Sequence, residues 1–247
     1  MRYPNHLPHP TMDDLWYSES CRTSEDHMNK PPKITADLLF RAKSVVFDLD
    51  GTLVDSVLDV ALAYCQTLQK FGFEPPPESI YLGPPAETVV RMMIGQDADR
   101  TLVADIVNEF RRTYDMSDYP ETTLYPGAAE LLKRLKSKGI RLSLATYKGI
   151  VSTRRLLEVK GISALFDEVL SINLNGQRWT KYQMLAYIME ATQTLPTETF
   201  FFGDSVGDME AGKDHGIATV AVLYGYEPGE QLLAAVPNFV CESLMDI

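Results

Sequence analysis

Asp48 and Asp50 stand two residues apart at the end of the apolar run Ser44-Val45-Val46-Phe47. If that run is a buried strand, side chains two apart share a face and both carboxylates can address one pocket. Adjacent carboxylates repel each other unless a cation or a proton intervenes. The pair therefore suits one metal-bound nucleophile and one general acid–base. A polar turn is the plainer alternative, because Asp50-Gly51 also ends strands well.

A second pair follows another apolar run. Thr199-Phe200-Phe201-Phe202 leads into Gly203-Asp204-Ser205-Val206-Gly207-Asp208. Gly203 and Gly207 allow a tight turn. Asp208 in a first helical turn also suits the helix dipole, which is its plainer reading. Four carboxylates at one sheet edge require a hard divalent cation, and Mg²⁺ with oxygen ligands fits best. Thr146 closes the run Arg141–Ala145 and offers a hydroxyl to a phosphate oxygen, or is simply a β-branched strand residue. Lys181 opens a helix, where a cation opposes the dipole, although lone lysines are usually solvated.

The elements that position these residues alternate. After Tyr125-Pro126-Gly127, helices are expected at about 128–138, 150–160, 181–192 and 207–214. Strands are expected at 141–145, 168–172, 199–202 and 218–222. Together with 44–47, this is an α/β pattern, a doubly wound parallel sheet whose ligands bind at the strands' carboxyl ends. Between about 57 and 122 the periodicity is helical throughout, at 56–72, 86–94 and 98–116, with Pro75-Pro76-Pro77 and Gly83-Pro84-Pro85 as breaks. Residues 1–43 hold His6, His9 and five prolines without sustained periodicity, apart from a short helical stretch near 12–17. They read as a flexible extension, or as a docking arm using Trp16 and Tyr17. The domains expected are thus an extension (1–43), a Rossmann-like core (44–56 with 123–247) and an inserted helical module (57–122). Removing residues 1–40 should then leave the chemistry intact.

Composition sets limits. The 247 residues carry a formal net charge of -11, which argues against a broad nucleic-acid-binding face. A few local cations and a metal can still attract a small anion. No apolar run approaches a membrane span, and no apolar leader is visible in the first forty residues. Three scattered cysteines, Cys21, Cys65 and Cys241, read as reduced thiols, with a cytoplasmic setting as the default.

The four stretches, in order and spacing, resemble the haloacid dehalogenase superfamily of phosphatases: Asp48-x-Asp50-Gly51-Thr52-Leu53-Val54-Asp55-Ser56, Thr146, Lys181, and Gly203-Asp204-Ser205-x-x-Asp208. The resemblance covers about 44–245 and makes the helical insertion the family's cap. It implies that Asp48 attacks phosphorus to form an aspartyl-phosphate. Asp50 would protonate the leaving alcohol and then activate water. Thr146 and Lys181 would hold the phosphoryl group. Asp48, Asp204 and the backbone carbonyl of Asp50 would ligate Mg²⁺, with Asp208 binding it or orienting its waters. The substrate implied is a small phosphorylated metabolite, with Arg91, Tyr147, Lys148 and Arg178 as candidate substrate contacts. Tyr147 and Tyr182 depart from the residues that follow the threonine and lysine in many relatives, which bears on specificity more than on chemistry. The phosphoglycolate phosphatase branch is the general match. Gly83-Pro84-Pro85, Asn175-Gly176-Gln177-Arg178 and Leu223-Tyr224-Gly225-Tyr226 look more like the bacterial 5′-nucleotidase-like branch. A phosphomutase of the same superfamily and a non-catalytic binding protein remain alternatives. A signalling receiver domain would be about half this length and would lack Asp204 and Asp208 after the lysine.

Overall fold

The computed structural model describes residues 30–74 and 86–247. Gly83-Pro84-Pro85, the three prolines at 75–77 and the stretch 12–17 lie outside the described residues.

Six strands form one parallel sheet. In chain order they are β1 (Ser44–Phe47), β4 (Arg141–Thr146), β5 (Glu168–Ser171), β6 (Thr199–Gly203), β7 (Ala218–Val222) and β8 (Phe239–Cys241), arranged β5-β4-β1-β6-β7-β8. Every residue of β1, β6 and β7 is buried, as near-continuous apolar strands covered on both faces must be. Connections from β1 lead to β4 and β5 on one side, and the chain then crosses to β6 on the other. The sheet therefore reverses its winding at β1, and the crevice outside its carboxyl end is where such sheets hold ligands. Register brings Phe47 level with Leu144 and Phe202, so that Asp48, Thr146 and Asp204 emerge together.

Helices α5 (Ala128–Ser137), α6 (Ile150–Val159), α7 (Lys181–Thr192) and α8 (Val206–Asp214) flank the sheet. Their bounds fall within a residue or two of those read from periodicity. The inserted module holds α2 (Val57–Lys70), α3 (Ala86–Ile94) and α4 (Arg100–Asp115). It buries its own small core of Tyr64, Leu68, Val89, Val90, Val103, Ile106 and Val107. Asp99 caps α4 by accepting from the Thr101 and Leu102 amides. A two-stranded antiparallel ribbon, β2 (Val54–Asp55) with β3 (Thr123–Leu124), joins this module to the core. Beside it the buried Asp59 carboxylate accepts from the Thr122 amide and hydroxyl, both at 2.6 Å. That clamp fixes where the chain leaves and re-enters the core.

The ordered core begins earlier than Ser44. Ile34 N donates to Val240 O, Val240 N donates to Pro32 O, and Lys33 bridges Val240 in parallel. Residues 32–34 thus extend the sheet beyond β8. The short helix α1 (Ala36–Leu39) follows, and Leu39 is fully buried. The expectation of a flexible 1–43 is corrected for 30–43: Pro31 and Pro32 hide the pairing from periodicity, and β8 has only three residues to show for itself. Removing residues 1–40 would expose the faces that Ile34 and Leu39 cover. The expected loss is about 3–6 kcal/mol for two buried aliphatic side chains, read as a fall in the urea midpoint at unchanged slope. A midpoint equal to the intact chain's would show that this segment only rests on the surface.

Candidate active site

Lys181 sits at the centre of the site. Thr180 caps α7 through a reciprocal pair with Gln183, which places Lys181 at the first helical position, pointing inward and 3% exposed. Its ammonium lies 2.7 Å from Asp48 Oδ1 and 2.8 Å from Asp208 Oδ1, and it donates to Ala145 O at 2.8 Å. A lysine that opposed the helix dipole in the sequence is thus held by two carboxylates. Burial works against its charge, but Asp208 and Asp48 more than offset this and hold its pKa above the ordinary value.

Oxygen atoms of Asp48, Asp204 and Asp208 lie within 4.8 Å of one another. Burial pushes the Asp48 carboxyl up to about 7; Lys181 opposes the rise, and Asp208 and Asp50 add to it. Burial also pushes Asp204 up to about 8, reinforced by the charge of Asp48. Such a cluster stores repulsion that a cation would relieve. Asp48 Oδ1 and Asp208 Oδ1 are buried and, beyond the Lys181 charge contacts, receive no well-directed hydrogen bond among the described residues. Hard carboxylate oxygens with lone pairs left to donate are the donor set that suits Mg²⁺.

Glycine shapes the cradle. A Cβ at Gly51, which has φ +78, would overlap the Asp204 carboxylate, and so would one at Gly225. A Cβ at Gly203 would overlap Asp208. The loop after β7 straps these parts together. Tyr226 N donates to Asp204 Oδ2 at 2.8 Å, and Tyr224 Oη donates to Thr52 O at 2.8 Å. Glu227 accepts from Val206 N at the start of α8. Asp208 Oδ2 accepts from the Ser205 hydroxyl at 2.6 Å, so it both caps α8 and faces Lys181.

Asp50 is held apart from that cluster. Its carboxylate accepts from Ser56 Oγ at 2.5 Å and from Lys148 Nζ at 2.8 and 3.0 Å. The Ser56 amide in turn donates to Tyr226 Oη at 2.8 Å. Thr146 is buried, and its hydroxyl oxygen accepts from Lys148 N at 3.1 Å, leaving its own hydrogen to donate elsewhere.

The candidate substrate contacts divide. Tyr147 is 54% exposed at the rim, and its hydroxyl accepts from Lys181 N. Lys148 is engaged with Asp50 and is not a free anion anchor. Arg178 is exposed in the loop before α7. Arg91 donates to Gln96 O and Ala98 O, both at 3.0 Å, and so braces the turn between α3 and α4. The structure does not bring it to the carboxylates. The structure adds Asp59, Ser56, Tyr224, Tyr226 and Glu227 as supporting residues. Ser56 closes the motif that begins at Asp48, and Tyr224 and Tyr226 belong to the signature Leu223–Tyr226, whereas Asp59 and Glu227 carry no signal in the sequence.

The family model described as haloacid dehalogenase-like hydrolase matches residues 45–222. The chain belongs to that family. Among curated proteins, the chain is similar to a phosphoglycolate phosphatase of Vibrio parahaemolyticus, 33% identical over 83% of this chain and 94% of that protein. A tyrosine-protein kinase PtkA of Mycobacterium tuberculosis is 32% identical over 74% of this chain and 62% of that protein. Among solved structures, a predicted phosphoglycolate phosphatase from Haemophilus somnus superposes with a TM-score of 0.74 at 25% identity, covering 83% of this chain and 96% of that one. Within the haloacid dehalogenase-like hydrolases the chain is a phosphatase, and its core is the mostly parallel, Rossmann-like sheet of that family. No helix among the described residues is long and apolar enough to cross a membrane.

Proposed function

We propose that the protein is a Mg²⁺-dependent phosphomonoesterase that works through an aspartyl-phosphate at Asp48, on a small phosphorylated metabolite of the phosphoglycolate type. One observation carries this reading. Asp48 shares a buried pocket with Lys181 and two further carboxylates, while Asp50 stands beside it in a separate hydrogen-bonded seat. A nucleophile and an acid–base with different surroundings are what two-step phosphoryl transfer needs.

Asp48, Asp204, Asp208 and the backbone carbonyl of Asp50 would hold Mg²⁺. Once bound, it would neutralise charge on the phosphoryl oxygens. Lys181 and the Thr146 hydroxyl would grip the remaining oxygens and hold the group in line with Asp48. A carboxylate oxygen of Asp48 attacks phosphorus, the bond to the alcohol oxygen breaks, and the protonated Asp50 supplies that oxygen's proton. Asp50, now ionised, takes a proton from water. The resulting hydroxide displaces the Asp48 carboxylate from phosphorus and releases phosphate. The proton gained restores Asp50, so each cycle closes. Substitution Asp50→Asn would slow both steps, and more so for alkyl than for aryl esters, whose leaving group needs no proton.

Phosphoglycolate is the first substrate candidate because curated relatives of more than 30% identity bear that name. The nucleotidase-like signature at Leu223–Tyr226 has a structural use here, since Tyr224 and Tyr226 brace Thr52, Ser56 and Asp204. Among the described residues, Cys65 and Cys241 form no disulfide, in keeping with a cytoplasmic setting. The test is phosphate release from 2-phosphoglycolate and from nucleoside monophosphates. Excess chelator should abolish it and Mg²⁺ should restore it. Ca²⁺, with larger and looser coordination, should compete and inhibit. Undiminished turnover in chelator would refute the metal site. Higher kcat/KM on the nucleotides would move the substrate to the nucleotidase branch.

A further inference from the structure

Lys148 is buried, cationic and adjacent to the chemistry, yet it holds neither the nucleophile nor the carboxylate cluster. Its side chain is 7% exposed. Its ammonium bridges both oxygens of Asp50, at 2.8 and 3.0 Å. The same ammonium lies 4.6 Å from the ring centroid of Tyr114, on the last turn of α4 in the inserted module. Tyr114 continues an aromatic column within that module. Its ring packs 5.9 Å from Phe110, which stacks 3.8 Å from Tyr64. The backbone of Lys148 is pinned on both sides: its amide donates to Thr146 Oγ1, and its carbonyl accepts from Ser171 Oγ at 2.5 Å.

We propose that Lys148 is a positioning residue that seats the Asp50 carboxylate and ties that seat to the cap through Tyr114. The inference rests on the phosphatase reading above and goes beyond it. Ser56 alone offers Asp50 a single hydrogen bond, about which the carboxylate can swing. The two-point contact from Lys148 fixes its plane as well. The aromatic face over the ammonium excludes water from that contact and favours the cation. When the cap module moves away, Tyr114 leaves with it and Lys148 becomes solvated. The acid–base is then well placed only with the cap seated on the core. Lys148 therefore contributes to the step in which Asp50 must hold a water in line, and not to gripping the substrate.

The test uses the 247-residue chain and p-nitrophenyl phosphate, whose leaving group departs without a proton. Lys148→Met keeps the apolar stem and removes the ammonium. Formation of the phospho-enzyme should survive, whereas its hydrolysis needs a seated Asp50 and should slow. We expect kcat to fall about 30-fold, within the range that general acid–base groups supply. KM should fall in parallel, so that kcat/KM stays within about threefold of wild type, with a burst of roughly one nitrophenolate per chain. Tyr114→Leu should show the same pattern at about 3–10-fold, and Lys148→Arg should recover part of the loss. A raised KM with reduced kcat/KM in Lys148→Met would make Lys148 a substrate anchor and overturn the proposal. Uniform loss without a burst would reduce it to a structural residue and overturn it equally. If Lys148→Met does not fold, Tyr114→Leu and Lys148→Arg decide by the same two readouts. A wild-type chain with no phosphatase activity would refute the parent reading, which a variant-only failure leaves intact.

Discussion

Replacing Asp48 with asparagine is expected to lower kcat on every phosphomonoester by on the order of 10⁵-fold while leaving the chain folded. The amide has the shape of the carboxylate but is a poor nucleophile, and no other carboxylate is aligned with Lys181 in the same way. Asp208 also touches Lys181, but it caps α8 through Ser205 and is fully buried. The effect on stability should have the opposite sign to the effect on rate. The folded chain holds the Asp48 proton up to about 7, above the ordinary carboxylate value. Its contribution to stability is therefore greatest in acid and is lost as pH rises through 7. At pH 8 without metal the ionised Asp48 is a liability that asparagine lacks. The variant should melt at the same temperature as wild type or higher in chelator, and should lose most of the stabilisation that Mg²⁺ gives wild type. Measurable turnover near the wild-type rate would remove Asp48 from the role of nucleophile. A variant that failed to fold would show that the carboxylate is structural.

Much of the site was legible in the sequence because it is built from strand ends. An apolar run followed by Asp48, another followed by Gly203-Asp204, and a third closed by Thr146 need only the rule that ligands gather at the carboxyl edge of a parallel sheet. Lys181 was legible as an anomaly, a cation at a helix start. Its carboxylate partners, one far back in the chain and one well ahead, explain the anomaly. What periodicity could not show are pairings between distant segments that have no pattern of their own. Asp59 reads as an ordinary polar residue in a first helical turn, and only the fold brings Thr122 onto it, 63 residues away. Tyr226 meets Ser56 across 170 residues. Residues 32–34 pair with a three-residue strand, too short for alternation to register. Arg91 and Lys148 are both expected as substrate contacts, because sequence cannot say which carbonyls or carboxylates a long side chain will find. One braces a turn in the cap and the other reaches Asp50. The substrate-facing surface is the least legible part, since it depends on side-chain rotamers at the meeting of two units.

Lys181→Met should damage the fold as well as the reaction, and the size of the damage should depend on pH and on metal. Lys181 is the sole cation that contacts both Asp48 and Asp208 among the described residues. Methionine fills the same apolar path beneath the Tyr147 and Phe201 rings but leaves two buried carboxylates without their partner. Removing one member of a buried ionic group typically costs about 3–5 kcal/mol, because the remaining charge is both desolvated and unpaired. The sign with pH follows from proton binding. In wild type, Lys181 holds the Asp48 pKa down against burial and like charge. Without it, the folded state binds that proton more tightly still, while the unfolded chain keeps its ordinary carboxylate value. The variant is then most stable in acid, and its deficit opens as pH rises through about 7 and beyond. Mg²⁺ should narrow the deficit at high pH by supplying positive charge to the same oxygens, although turnover should stay low because the phosphoryl group has lost its second grip. Chemical unfolding at pH 5 and pH 8.5, each with chelator and with Mg²⁺, would resolve the four cases. A deficit equal at both pH values and indifferent to Mg²⁺ would mean that Lys181 stabilises the fold by packing alone, and that the charge network at the end of β1 is not what holds this site together.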